Sequence, residues 1–155
     1  MNRNARILYL AKSIVAGDTV TEYMKIPMTG ELKVKPGSYV TLEVPQEFTD
    51  NVYNAIYEEG MEKPEHGAHI SVMTDFENDK FGPIFEDGKE FEYTISSIES
   101  CNPEGWDEME KVWFVKCHSP QLEKLRMQYG MNPLMFTDHD FHITVALQPK
   151  DKNKQ

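Results

Sequence analysis

His69-Ile70-Ser71-Val72 and His142-Ile143-Thr144-Val145 are the two stretches that decide how this chain folds. Each is a histidine, an apolar residue, a hydroxyl residue and a second apolar residue, inside a run with the composition of a β-strand. A strand alternates its side chains between two faces, so histidine and hydroxyl share one face while the apolar pair takes the other. Set side by side, two such strands line a cleft with two imidazoles and two hydroxyls. One imidazole takes a proton while the other gives one, and the hydroxyls hold an anion. That set of groups is suited to cleaving a phosphodiester without a metal. A single His-x-Ser in a strand carries little information, because most half-buried histidines are ordinary core residues.

The surroundings repeat as well, and a repeated unit bears on the whole fold. Ser38-Tyr39-Val40-Thr41-Leu42-Glu43-Val44-Pro45 precedes the first motif as a strand, followed by helical spacing over Glu47–Glu59. Val112-Trp113-Phe114-Val115-Lys116-Cys117 precedes the second, followed by a helix opened by Ser119-Pro120 and running to about Tyr129. Phe48, Val52, Ile56 and Tyr53 form one apolar stripe; Leu122, Leu125, Met127 and Tyr129 form the other. Ser119 suits an N-cap, Pro120 the first helical position, and Gly60 and Gly130 the C-terminal caps. Both halves read strand, helix, motif strand.

On these residues the chain resembles the two-histidine (2H) phosphoesterase superfamily, from about Gly37 to Pro149. The resemblance implies an α+β, bilobal fold: two pseudo-symmetric strand-helix-strand lobes, with mostly antiparallel sheets around a central cleft. A single domain over 1–155 is expected, with lobe motifs at 37–75 and 109–149. Within the superfamily, the small size, Gly37-Ser38-Tyr39-Val40, Gly105-Trp106 and Phe141-His142-Ile143-Thr144 look most like the phage anti-CBASS nucleases. Those enzymes destroy the cyclic nucleotide messengers of a bacterial antiviral system. The resemblance implies His69, Ser71, His142 and Thr144 as catalytic residues, with Tyr39 and Trp106 stacking on the bases. It departs at the end, where only Gln148–Gln155 stand in place of the family's aromatic C-terminal segment. The resemblance implies a cyclic di- or trinucleotide substrate and no cofactor or metal; the expected location is cytoplasmic, in the host cell if the protein is phage-encoded.

Composition narrows the classes. In 155 residues with a formal net charge of −10, a long nucleic acid is a poor partner, because long polyanions are held mainly by Lys and Arg. A small ligand with one or two phosphates needs only local donors. There is no apolar run long enough for a membrane span and no charged-then-apolar leader. Cys101 and Cys117 make no disulfide framework and no zinc spacing, and are read as structural thiols. The acidic groups Glu58-Glu59 and Asp107-Glu108-Glu110 are read as solvated faces.

Residues 1–35 lie outside the repeat. Ile7-Leu8-Tyr9-Leu10-Ala11 and Thr19–Ile26 read as two strands of a hairpin around Gly17-Asp18, padding a sheet or meeting another copy. Lys33-Val34-Lys35-Pro36-Gly37 is a turn, Phe91–Ile98 a strand between the lobes, Cys101–Trp106 a loop, and 150–155 a disordered tail. His66 and His139, three positions before the motif histidines, are read as loop residues, and His118 precedes a helix start. Tyr39 has two readings, core packing and a stacking face; Trp106, in a polar loop, is harder to explain as core. Three functions remain: a phosphodiesterase of cyclic nucleotides, a 2H enzyme acting on RNA ends, and a sponge that binds a cyclic nucleotide without turnover. A sponge needs no matched pair of histidines.

Overall fold

The computed structural model describes residues 3–16, 27–102, 109–135 and 140–150. It contains helix α1 (Arg3–Ala16), strands β1 (Met28–Lys33) and β2 (Val40–Glu43), helix α2 (Gln46–Ile56) and strand β3 (His69–Met73). Helix α3 (Asp75–Phe81), strands β4 (Glu90–Cys101) and β5 (Met109–His118), helix α4 (Pro120–Gln128) and strand β6 (Phe141–Pro149) complete it. The expected α+β class is the observed one.

All strand pairs are antiparallel, and their order closes into a barrel, β1-β2-β3-β6-β5-β4. The chain contributes β1-β2-β3 and then β4-β5-β6, each with its helix between second and third strands. The lobes therefore meet twice, through β3–β6 and β1–β4, within one continuous sheet. The motif strands form the first of these joints, with Ile70 opposite Ile143. One hydrophobic core serves both halves: Leu42, Phe48, Val52, Ile70 and Val72 join Val115, Leu122, Leu125, Ile143 and Val145. Each such side chain contributes about 1.5–3 kcal/mol by leaving water, so the apolar faces of β3 and β6 are fixed by packing and their polar faces turn the other way.

Both motif strands also carry the same irregularity. Thr41 pairs with Ser71 but Val40 with Met73; Phe114 pairs with Thr144 but Trp113 with Ala146. Val72 and Val145, the fourth residues of the motifs, are thus the extra residues of two equivalent β-bulges. A bulge breaks alternation, and Val72-Met73 and Val145-Ala146 are consecutive buried pairs.

The N-terminal expectation is corrected. Ile7–Ala11 lies within α1 rather than a strand, and its buried residues, Ile7, Leu10, Ala11 and Ile14, stand at i, i+3, i+4 and i+7 of a helix. Thr19–Ile26, the other half of the expected hairpin, lies outside the described residues. The strand in this region is β1, and Lys33, placed in a turn by the sequence, is its last residue. Helix α2 ends at Ile56, before Glu59, so Gly60 belongs to the following turn. Helix α4 begins as expected: Ser119 Oγ accepts from Leu122 N–H at 3.1 Å, with Pro120 next. It ends in a Schellman turn, Met131 N–H donating to Arg126 O and Gly130 N–H to Met127 O. Gly130 has φ 90° there, the left-handed conformation that favours glycine. Met127 is exposed and leaves the expected apolar stripe.

Candidate active site

The register of β3 and β6 assembles the site. With Ile70 opposite Ile143, the antiparallel arrangement sets His69 beside Thr144 and Ser71 beside His142. The four side chains share one face, and all four are half-buried. Directly opposed residues have β-carbons about 4.5–5.5 Å apart, and diagonal neighbours such as His69 and His142 about 7–8 Å or somewhat less. Each imidazole is therefore next to the hydroxyl of the other motif.

The two rings are anchored in the same way. His69 Nδ1 lies 3.0 Å from Gly67 O, and His142 Nδ1 lies 3.3 Å from Asp140 O. In both cases the partner is the carbonyl two residues upstream. A carbonyl only accepts, so each contact is a hydrogen bond in the tautomer that carries the proton on Nδ1 and leaves Nε2 as the basic nitrogen. Gly67 turns the chain for this contact with φ 73°. His142 also packs edge-on against Phe114, with ring centroids 5.4 Å apart.

On the β2 side a pocket of about 740 Å³ opens from His69 and Ser71, lined also by Tyr39, Thr41, Glu43 and His66. Its size falls within the range of small-molecule sites, about 300–1,000 Å³. Tyr39, in the turn ahead of β2, is 47% exposed and so is not core. His66 sits in the loop before β3, as the sequence indicated, but its place in this pocket was not foreseen. Trp106 and His139 lie outside the described residues. A smaller cavity of about 270 Å³ between α1 and β1, lined by Arg6, Ile7 and Leu10, holds no imidazole.

Charge around the two imidazoles is unlike. Glu43 is the strand partner of His69, and Lys116 is the strand partner of His142. Glu43 stands 4.0 Å from Lys33, whose ammonium is pushed above its ordinary value by its hydrogen bond to Glu31. Lys116 stands 3.4 Å from Glu99. Among the described residues no three of His, Cys, Asp and Glu are grouped as metal ligands. Cys117 is buried, and burial pushes its thiol up; Cys101 is exposed.

The support beneath the site centres on Arg126, 1% exposed. Its Nη1 donates to Val72 O at 2.8 Å and Glu77 Oε1 at 2.9 Å, and its Nη2 to Glu77 Oε2 at 2.7 Å and Leu134 O at 3.2 Å. Its Nε donates to Asn132 O at 2.7 Å. All five N–H groups of the guanidinium are thereby used. The bond to Val72 holds the bulge of β3; those to Asn132 and Leu134 hold the approach to β6. Glu77 is itself fixed by a capping box with Thr74 at the start of α3. The Thr74-Asp75-Phe76-Glu77 string carries that signal openly, although the sequence reading passed over it.

Residues 31–153 match the family model described as Swiss Army Knife, 2H phosphoesterase domain. Neither the curated proteins nor the solved structures contain a match to the chain. No described helix is long and apolar enough to cross a membrane. With the match spanning most of the chain, and two His-x-Ser/Thr strands adjoining in one sheet, the protein belongs to the 2H phosphoesterase family, hydrolases that act on phosphodiester bonds.

Proposed function

We propose that the protein hydrolyses the 3'-5' bonds of cyclic di- or trinucleotide second messengers, and so serves a phage in evading host CBASS immunity. The observation that carries this reading is the matched anchoring of His69 and His142 by upstream carbonyls, beside a nucleotide-sized pocket with an exposed Tyr39 at its wall. In the first step a ribose 2'-hydroxyl attacks phosphorus in line. One imidazole Nε2 takes the hydroxyl proton, the P–O5' bond breaks, and the other imidazole delivers a proton to the departing 5'-oxygen. Ser71 and Thr144 donate hydrogen bonds to the non-bridging oxygens as charge builds on them. The product carries a 2',3'-cyclic phosphate, which water opens to a 3'-phosphate with the two histidines in exchanged roles. Tyr39 supplies a stacking face for a base, an interaction of about 1–3 kcal/mol. A net charge of −10 accords with a small substrate better than with a long polyanion.

The test is turnover of a panel of 3',3'-linked cyclic dinucleotides and trinucleotides in excess EDTA, using the intact protein, His69→Ala and His142→Ala. Products from the intact protein alone support the proposal and name the messenger. Cleavage only of RNA ends bearing a 2',3'-cyclic phosphate moves the protein to RNA processing. Tight binding of a cyclic nucleotide without products makes it a sponge.

A further inference from the structure

The pocket beside His69 and Tyr39 has a further wall of exposed residues that neither proton transfer uses. Two segments form it: the turn Lys35–Ser38 and the loop that carries His66. Both are exposed, yet both are held by side-chain amides. Asn78, buried on α3, donates from Nδ2 to Lys35 O at 2.9 Å and Ser38 O at 3.0 Å. Ser38 N–H closes the turn onto Lys35 O at 3.2 Å. In the other segment, Gln46 at the start of α2 accepts from Ala68 N–H at 2.9 Å through Oε1, and its Nε2 donates to Thr49 and Asp50. Surface segments pinned in this way present their side chains in a fixed arrangement, as binding sites require.

What they present is a set of donors: the Lys35 ammonium, the Ser38 hydroxyl and the His66 imidazole, which donates an N–H in either protonation state. Glu43 is the only carboxylate among the described lining residues, and Lys33 stands beside it. We infer that Lys35, Ser38 and His66 form a second phosphate subsite, which holds the phosphate that is not being cleaved. The inference rests on the cyclic-nucleotide reading and sharpens it: the preferred substrate has two or more phosphates, with one between the motif histidines and the next at this wall.

The test is equilibrium binding in a His142→Ala background, which stops turnover while leaving the pocket intact, with and without Lys35→Met and His66→Asn. The probes are a 3',3'-cyclic dinucleotide and a linear dinucleoside monophosphate, which has the same internal linkage and no second phosphate. The expected result is a loss of roughly tenfold or more for the cyclic dinucleotide in each variant, with the monophosphate unchanged. Equal losses for both probes, or no loss for either, overturn the subsite. Absence of binding by cyclic dinucleotides and cyclic trinucleotides alike overturns it together with the functional reading. Selective loss in a protein whose intact form turns over no cyclic nucleotide leaves the subsite standing and removes only the catalytic reading.

Discussion

The two halves of the barrel carry the same device in different surroundings. In both, a strand bears a histidine whose Nδ1 is held by the carbonyl two residues back, then a hydroxyl, then a bulged valine. In the first half the histidine has Glu43 across the ladder and a pocket with Tyr39 and His66 beside it. In the second it has Lys116 across the ladder and the Phe114 ring against its own. Repetition of the backbone makes two imidazoles available, and the unlike neighbours make them non-equivalent. A reaction that needs one proton taken and one given is served by that combination, since identical settings leave nothing to orient the substrate. In the proposed reading, the half with the pocket is the side on which the substrate extends.

The largest effect expected comes from removing either ring. His69→Ala and His142→Ala each lower kcat by about 10²–10⁴, with the melting temperature nearly unchanged because both side chains are only half-buried. Steady-state kinetics beside thermal unfolding separates the two quantities. If one variant keeps near-normal activity, the halves are not partners in one reaction, and the comparison fails at its root.

A second test cuts the link between the halves. Arg126 belongs to α4 in the second half and grips Val72 and Glu77 in the first. Loss of one partner of a fully buried pair costs about 3–5 kcal/mol; with Arg126 buried and Glu77 half-buried, Arg126→Met should destabilise by up to that order in denaturant unfolding. The pair also predicts a pH dependence. Burial alone raises the Glu77 carboxyl, but the hydrogen bonds from Arg126 and Thr74 outweigh it and hold the carboxyl below its ordinary value. A carboxyl lowered by folding contributes its full stability above the unfolded value, about 4.3, and loses it as pH falls through the folded value. Glu77→Gln should therefore be less stable at neutral pH and lose less than the intact protein on acidification. Parallel stability curves for the two would break this account.

The bond of Arg126 to Val72 also shows where sequence reasoning stopped. The motif strands, their helices and the caps at Ser119 and Gly130 were legible because period-two alternation, helical spacing and cap chemistry are local signals. Arg126 and Glu77 are far apart in the chain, and three of the guanidinium's bonds go to main-chain carbonyls, which any residue supplies. The bulges were hidden for a related reason: Val72 and Val145 look like ordinary core positions, and only strand pairing reveals the extra residue. Helix α1 was misread because Ile7–Ala11 is a continuous apolar run, and a short run of that kind fits a strand or a helix segment equally. Extending the window to Ile14 decides for the helix.

The hydroxyls test the symmetry more finely than the rings do. In the proposed mechanism, Ser71→Ala and Thr144→Val each remove one donor from the face that receives the developing negative charge. Such losses cost about 10²–10³ in kcat, with KM altered much less. The register sets Ser71 beside His142 and Thr144 beside His69, so each hydroxyl works next to the other motif's ring. A double variant distinguishes cooperation from independence. If both donors act on one transition state, the combined loss departs from the product of the single losses.

Phe114 offers the smallest and most one-sided perturbation. Its ring meets His142 edge-on at 5.4 Å, whereas the equivalent place opposite Ser71 is held by Thr41. An aromatic pair of this kind is worth about 0.5–1.5 kcal/mol beyond its buried area, and here it limits rotation of an imidazole already tied at Nδ1. Phe114→Leu keeps an apolar side chain at the site but removes the edge contact, so the expected result is a severalfold fall in kcat with little change in substrate affinity. Proton-detected NMR of the histidine rings is the sharper measurement, because the His142 signals should shift and broaden while those of His69, anchored by Gly67 O ahead of β3, stay in place. Equal changes at both rings would mean that the site responds as one rigid unit, and that the unlike neighbours of the two halves do not separate their behaviour.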